Sequence, residues 1–230
     1  MYNVPNSVSN IKVLLTHARL KAMTISASRG RPARSSPRRR NVDTTRLQEL
    51  LVQASDIVLA EGFTSITMDQ LAQRLGCSKA TLYSVAGTKD QLVQTITRRF
   101  FSTAAEEIEQ AVAVESDPAQ RIRTYLAGVG NAMRRHSPAF YDDMVSYEPT
   151  ARIYRRNSET AARRVHEMID DGVRAGAFRN VNGPFAAQVV AVTIDAVQSG
   201  DLLRSTGLSA GDAFAELGDL LLDGLNRPDS

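Results

Sequence analysis

Apolar residues recur along most of this 230-residue chain at intervals of three and four positions, which is the spacing of amphipathic helices. One such stripe runs through residues 46–61 and ends at Glu61-Gly62, and the next begins at Met68. The sequence has no run with the alternating pattern of a half-buried strand, and it has no internal repeat. We therefore predict an all-α fold.

Two short helices joined by a tight glycine turn are predicted between residues 62 and 88. Thr67 and Gln70 form a capping box that opens the first helix. Gly76 can adopt the left-handed conformation that ends it, and Ser78 can cap the second helix. Taken alone, this segment fits either a helix-turn-helix or an ordinary helical hairpin packed on a core.

The flanking helices favour the helix-turn-helix. A leucine-rich helix precedes the pair, and Thr88 and Gln91 mark a further capping box that opens a long helix after it. In the second short helix, Leu82 is the inward anchor. The side chains left exposed are hydrogen-bond donors suited to phosphates and base edges. They are Ser78, Lys79, Thr81 and Tyr83.

Residues 46–92 of the chain resemble the TetR family of bacterial transcriptional regulators. After a leucine-rich first helix, the resemblance is carried by Glu61-Gly62-Phe63, Thr64 to Thr67, Leu71-Ala72, Gly76 to Tyr83 and Lys89 to Leu92. Relatives usually carry an aromatic residue or histidine after the tyrosine and a phenylalanine two positions later. Here Ser84, Val85 and Ala86 stand in that stretch, so we expect one hydrophobic plug fewer at the end of the recognition helix.

The resemblance implies a ligand-responsive repressor that acts as a homodimer on a near-palindromic double-stranded DNA operator. It implies a helix-turn-helix DNA-binding domain at residues 43–90 and a helical effector-binding and dimerisation domain at residues 91–230, with a basic arm at residues 1–42 before them. The candidate DNA contacts are Arg29, Arg31, Arg46, Thr67, Ser78, Lys79, Thr81, Tyr83 and Lys89.

The positive charge of the chain is concentrated in the arm. Residues 1–42 carry nine Lys or Arg and no acidic residue, whereas residues 43–101 carry six of each. The segment 26–40 has no core-forming residue and is expected to be disordered when free. Its Arg29-Gly30-Arg31-Pro32 is similar to an AT-hook that enters a narrow minor groove, and a plain basic tail that touches phosphates is the alternative.

The body is predicted to be helical throughout. The predicted helices run from Asp117-Pro118 to Met133, from about Pro138 to Ser146, from Pro149 to Gly172, from Pro184 to about Arg204 and from Ala210 to about Asn226. The last two are apolar on more than one side and must be covered on more than one side. They are therefore candidates for a dimer interface, with burial inside one subunit as the alternative. The candidate interface residues are Val189, Val192, Ala196, Phe214, Leu217 and Leu221.

The middle helices are rich in aromatic residues and methionine, as small-molecule pockets are. By resemblance they surround the site of a small, largely apolar effector, although plain core packing is the alternative role for each residue. The candidates are Phe101, Tyr125, Val129, Met133, His136, Phe140, Met144, Tyr147, Tyr154, His166, Ile169 and Phe185. Asp142, Asp143 and Asp195 would select a cationic effector if one of them pointed inward. We expect no metal and no cofactor, because the histidines lack companion ligands.

Other function classes find less support in the sequence. No glycine-rich phosphate loop, nucleophile elbow or metal-spaced histidine cluster points to an enzyme. An architectural DNA-binding protein would explain the basic arm but not the long acidic body. No stretch approaches the length of a membrane span, and the apolar run from Ile11 to Leu15 is too short for a secretory signal. A single cysteine, Cys77, fits a cytoplasmic location.

Overall fold

The computed structural model describes residues 37–225, except for the side chains of residues 37–43 and 210. Ten α-helices and no strand lie within this range, so the predicted all-α fold is confirmed. None of these helices is long and apolar enough to cross a membrane. The predictions for residues 1–36, including those for Arg29 and Arg31, lie outside the described residues. Residues 37–40, which were expected to be disordered as part of the arm, instead belong to the first helix, as do residues 41 and 42.

The helices follow one another through short connections. The first four are α1 (Pro37–Glu61), α2 (Met68–Arg74), α3 (Lys79–Val85) and α4 (Lys89–Ala113). The middle ones are α5 (Pro118–Met133), α6 (Pro138–Ser146) and α7 (Glu148–Arg174). The last are α8 (Gly183–Gln198), α9 (Asp201–Thr206) and α10 (Ala210–Leu225).

Side-chain caps fix several helix starts where the sequence predicts them. The backbone N–H of Gln70 donates to Thr67 Oγ1 (3.2 Å), and the N–H of Thr67 donates to Gln70 Oε1 (2.8 Å), which completes the predicted capping box. At the start of α4, the N–H of Gln91 donates to Thr88 Oγ1 (3.1 Å), which is one of the two bonds of the capping box predicted there. Asp117 caps α5 in the same way, with Pro118 in the first turn.

The predicted helix from Pro184 to Arg204 is wrong in one respect, because it is two helices. α8 ends at Gln198, and α9 begins at Asp201. Gly200 between them has φ +75°, the left-handed conformation that ends a helix, and Gly207 after α9 has φ +73°. The apolar periodicity of residues 184–204 masks this glycine stop signal.

Two clusters of buried side chains form the core. The first joins α1, α2 and α3 to α4, α6 and the start of α7, and it includes Leu82, Phe100 and Phe140. The second lies among α4, α5, α7, α8 and α10. Leu82 and Phe140 are fully buried. The helix-turn-helix therefore shares its core with the helices that follow it.

Gly62, directly after α1, is required for two separate reasons. Its φ is +79°, and a Cβ built on it would lie 2.5 Å from Asp143 Oδ2 and 3.1 Å from the Ala139 carbonyl oxygen. Gly176 has φ +75°, but a Cβ there would meet nothing within 4 Å. The two glycines separate the cost of the left-handed backbone from the cost of steric overlap.

We expect Gly176→Ala to lower the free energy of unfolding by about 1–2 kcal/mol, the cost of a left-handed alanine. Gly62→Ala should cost about 1–3 kcal/mol more, because α1 and α6 must also move apart. Urea unfolding of both variants measures the difference. An equal loss of unfolding free energy in both variants would mean that the contact between the α1–α2 turn and α6 is loose enough to accept a methyl group.

Candidate nucleic-acid interface

The recognition helix of the predicted helix-turn-helix is α3. A turn at Gly76, with φ +60°, separates it from α2, and the N–H of Cys77 donates to the Ala72 carbonyl (3.0 Å) to close that turn. Leu82 anchors α3 with no exposed surface, as predicted. The opposite side of α3 is therefore free to face a partner.

The four polar residues predicted on α3 lie together, with different degrees of exposure. Ser78, Lys79 and Tyr83 are exposed, and Thr81 is half-buried. The Ser78 oxygen accepts from the N–H of Thr81 (3.0 Å), and the two hydroxyl oxygens are 2.8 Å apart. Each hydroxyl is thus oriented by the N-terminal cap of the helix, which fixes the direction in which it can meet a base edge or phosphate.

Lys79 is held by an acidic residue that sequence reasoning missed. Its Nζ lies 2.7 Å from Asp69 Oδ1, across the turn between α3 and α2. The hydrogen bond to Asp69 and the charge of that carboxylate raise the pKa of Lys79. Both side chains are exposed, so Asp69 and a DNA phosphate would compete for the same ammonium group.

The remaining predicted DNA contacts already have partners within the protein. Lys89 is half-buried, and its Nζ donates to the Thr64 carbonyl (3.2 Å). Thr67 is used in its capping box, and Arg46 pairs with Glu49 (3.5 Å) on the exposed side of α1. Lys89 and Thr67 therefore hold the start of α2, a role that their prediction as DNA contacts did not include.

Local hydrogen bonds and a buried alanine complete the end of α3, where the sequence departs from the family pattern. The Ser84 hydroxyl donates back to the Ala80 carbonyl (3.0 Å), and Ala86 is buried at the first position after α3 ends. The backbone N–H of Ala86 donates to the Leu82 carbonyl (3.2 Å). A small side chain thus fills the position where relatives usually carry a larger plug, in line with the one plug fewer that was expected.

The predicted effector residues divide between the two core clusters. Phe101, Phe140, Met144, Tyr147 and Tyr154 lie in or against the first cluster. Tyr125, Val129 and Ile169 belong to the second, and Met133 packs against both. His166 Nε2 lies 3.4 Å from Asp170 Oδ2. Phe185 lies apart from the set, because it is 69% exposed on α8.

Aromatic rings are concentrated where α4, α6 and α7 meet. Tyr141 contacts the rings of His136 and Tyr154, with ring centroids 6.4 and 5.9 Å apart. His136 Nε2 is buried and has no hydrogen-bond partner among the described residues, and burial lowers the pKa of this histidine. The Tyr154 hydroxyl contacts Gln198 Oε1 as well as Asp195 Oδ1 (3.1 Å for the latter), and its single proton can be donated to either oxygen. This carboxylate from α8 is the one of the three predicted aspartates that contacts the ring cluster.

Burial also raises the pKa of the Tyr154 hydroxyl, with further contributions from Tyr141 and Asp195. The hydroxyl therefore stays protonated and serves as a donor to these two oxygens. Asp142 is exposed, and Asp143 instead contacts the α1–α2 turn. The site so described has aromatic faces, one carboxylate and one buried acceptor nitrogen.

Helix α8 has two apolar faces, as predicted. Val190, Ile194 and Val197 are buried in the second core cluster. On the other face Val192 is 58% exposed, and Leu220 of the neighbouring α10 is 76% exposed. The same outer surface carries Phe185, Ala186, Val189 and Leu221 around a shallow groove.

Two of the predicted interface residues are placed differently. Phe214 is 1% exposed and packs against α5, where a Cβ on Gly130 would lie 3.0 Å from its ring. Leu217 is also buried within the chain. The apolar residues of α10 point to both sides, and periodicity alone did not separate the side that meets α5 from the outer side, where Leu220 lies.

Comparison with known proteins agrees with this geometry. Residues 50–96, which run from α1 through α3 into α4, match the family model described as bacterial regulatory proteins, tetR family. The helix-turn-helix region of the protein is therefore of the TetR type. The protein is a DNA-binding transcriptional regulator.

Individual relatives are distant. The HTH-type transcriptional activator FasR of Mycolicibacterium smegmatis is 25% identical over 156 residues, which cover 65% of this chain and 69% of FasR. A transcriptional regulator from Saccharomonospora viridis in complex with choline superposes with a TM-score of 0.66 at 16% identity, over 80% of this chain and 100% of that one. A TetR/AcrR family regulator from Thermobifida fusca has a TM-score of 0.61 at 19% identity, with the same coverage.

The contact between Lys79 and Asp69 leads to a testable expectation about DNA affinity. Asp69→Asn frees the ammonium group and removes a negative charge beside the recognition helix. We expect it to raise operator affinity by about two- to fivefold, the size of exposed charge effects. Fluorescence anisotropy with labelled operator measures the change.

Glu159→Gln removes one negative charge from the exposed side of α7 and serves as the control for net charge. An equal gain in both variants would mean that the charge of the whole chain, not the release of Lys79, controls affinity. No gain in Asp69→Asn would remove Lys79 from the set of DNA contacts.

Proposed function

We propose that the protein is an effector-responsive repressor that binds a near-palindromic operator as a homodimer. The observation that carries this proposal is the exposed polar side of α3 in a helix-turn-helix that matches the family. Each subunit would place one α3 in the major groove, with the two grooves one helical turn apart. Ser78, Lys79, Thr81 and Tyr83 would make the contacts.

Operator selection from a random-sequence DNA library tests this proposal. A regulator should select a two-fold symmetric site and prefer it over random DNA by about 10³ or more. A comparable affinity for all sequences would favour an architectural protein. Because the relative from M. smegmatis is an activator, a reporter gene placed under the selected operator decides between repression and activation.

The proposed dimer interface is the outer face of α8 and α10. Val192 and Leu220 are large apolar side chains exposed on neighbouring helices, together with Phe185 and Val189. A contiguous apolar surface of this kind marks an interaction site on a protein of this size. If two copies are related by a two-fold axis, this face of one copy packs against the same face of the other and forms a four-helix interface.

Val192→Asp and Leu220→Asp should produce folded monomers. The substituted side chains are exposed in the single subunit, so its fold is kept, but in the dimer each would bury an unpaired carboxylate at a cost of several kcal/mol. Val114→Asp is the matched control, because Val114 is 81% exposed at the end of α4, away from this face. Light scattering gives the mass and circular dichroism the helix content. A dimer in both variants would place the interface elsewhere.

The proposed effector site is the aromatic cluster around Tyr141 and Tyr154. Aromatic faces attract organic cations, and a nearby carboxylate supplies the countercharge. Asp195 is such a carboxylate, held by the Tyr154 hydroxyl. The neighbour solved with choline has the same fold and binds a small organic cation. We therefore narrow the largely apolar effector expected from the sequence to an organic cation with apolar substituents.

Choline is the first probe for this site. We expect millimolar choline to raise the thermal midpoint of the wild-type protein, because a ligand that binds the native state stabilises it. The uncharged isostere 3,3-dimethyl-1-butanol should have a smaller effect, and Asp195→Asn should remove the difference between the two compounds. Equal shifts with both compounds, or none, would contradict a cationic effector.

A further inference from the structure

The turn between α1 and α2 is held by a side chain from α6. Asp143 Oδ2 accepts hydrogen bonds from the backbone N–H of Phe63 (2.5 Å) and from the N–H of Thr64 (2.8 Å). These amides belong to a turn outside the helices, so no intrahelical carbonyl satisfies them. One carboxylate, distant by about 80 positions in sequence, thus fixes the start of the helix-turn-helix.

The contact of Asp143 with the turn is close and is reinforced on both sides. Gly62 leaves the space into which the carboxylate fits. The N–H of Ser137, which caps α6, donates to the Leu59 carbonyl near the end of α1 (2.8 Å). The Phe63 ring meets the rings of Phe140 and Tyr147 at centroid distances of 6.2 and 6.1 Å. α6 and the turn therefore move together.

The charge of Asp143 matches this role. Burial acts to raise its pKa, but the hydrogen bonds from Thr64 and Phe63 and the charge of Lys89 outweigh burial, so the pKa of Asp143 is lowered. The carboxylate is therefore ionised at neutral pH. Lys89 from α4 donates to the Thr64 carbonyl (3.2 Å), so the same turn is held from a second helix.

We propose that Asp143 is a positioning residue, through which α6 sets the orientation of the recognition helix relative to the rest of the subunit. Phe140 and Tyr141 on the same helix belong to the aromatic cluster, so a displacement of α6 by a ligand reaches the turn through Asp143. The link to a ligand rests on the proposed function, whereas the positioning of the helix-turn-helix by Asp143 does not.

The spacing of operator half-sites reports this positioning. In a two-fold symmetric complex the separation of the two recognition helices must match the distance between half-sites. A helix-turn-helix that is held rigidly by α6 binds less well to operators with one base pair inserted or removed at the centre. A helix-turn-helix released from α6 can shift to fit these altered operators.

The experiment uses the full-length protein and the operator that the wild type selects from a random library. Asp143→Asn and Asp143→Ala are compared with Asp142→Asn, which removes an equal charge from the exposed neighbouring position. Anisotropy gives the affinity of each protein for the selected operator and for the versions with one base pair more or fewer. We expect Asp143→Ala to lose most of the wild-type discrimination and Asp142→Asn to keep it.

Loss of stability alone would give a different result. A variant with a smaller folded fraction loses affinity for all three operators in the same proportion, so the discrimination ratio stays at the wild-type value. That outcome for both Asp143 variants would overturn the proposal.

Amide hydrogen exchange provides a second measurement that does not require DNA. Exchange at the Phe63 and Thr64 amides should accelerate by about tenfold or more in Asp143→Ala, because hydrogen bonds to a charged group are lost. Exchange within α3 and α8 should stay close to that of the wild type. If the wild type selects no operator, the proposed function fails, and unchanged exchange at the two amides would then overturn the role of Asp143 separately.

Discussion

The packing of Phe63 against Phe140 and Tyr147 is the interaction on which the arrangement of this protein most depends. Phe63 lies two positions after the end of α1, so one ring brings together the end of α1, the start of the helix-turn-helix and α6. A segment as short as the helix-turn-helix buries too little apolar surface to form a rigid core of its own. It gains one by sharing the first cluster, and α3 is oriented because Leu82 belongs to that cluster.

The second cluster likewise orients several helices through one shared core. Val190 and Ile194 cover one side of α8, while Phe214 fills the close approach between α10 and α5 at Gly130. These contacts bury the inner faces of the two helices, whereas Val192 and Leu220 stay exposed in the single subunit. The same two helices, α8 and α10, thus pack into the core with one side and form the proposed dimer surface with the other.

The features that the sequence predicted depend on neighbouring residues. The caps at Thr67, Ser78 and Asp117 and the left-handed turn at Gly76 are short-range signals, and the structure contains them. What the sequence missed depends on contacts between distant segments or on choosing between faces. The bonds from Asp143 to the α1–α2 turn, 79 and 80 positions away, and the inward position of Phe214 have no local pattern. Gly200 was a readable stop signal, but the apolar run around it outweighed that signal.

The contact between Lys79 and Asp69 also affects how many ions are exchanged when the protein binds DNA. A lysine that neutralises a phosphate releases condensed counterions and steepens the salt dependence of binding. In the proposed DNA complex Lys79 would first leave Asp69, and the freed carboxylate would then attract cations from solution. The net release for this lysine is therefore smaller than for an unpaired one. Residues 43–101 carry six basic and six acidic residues, so this segment adds no net charge of its own to the attraction between protein and phosphate.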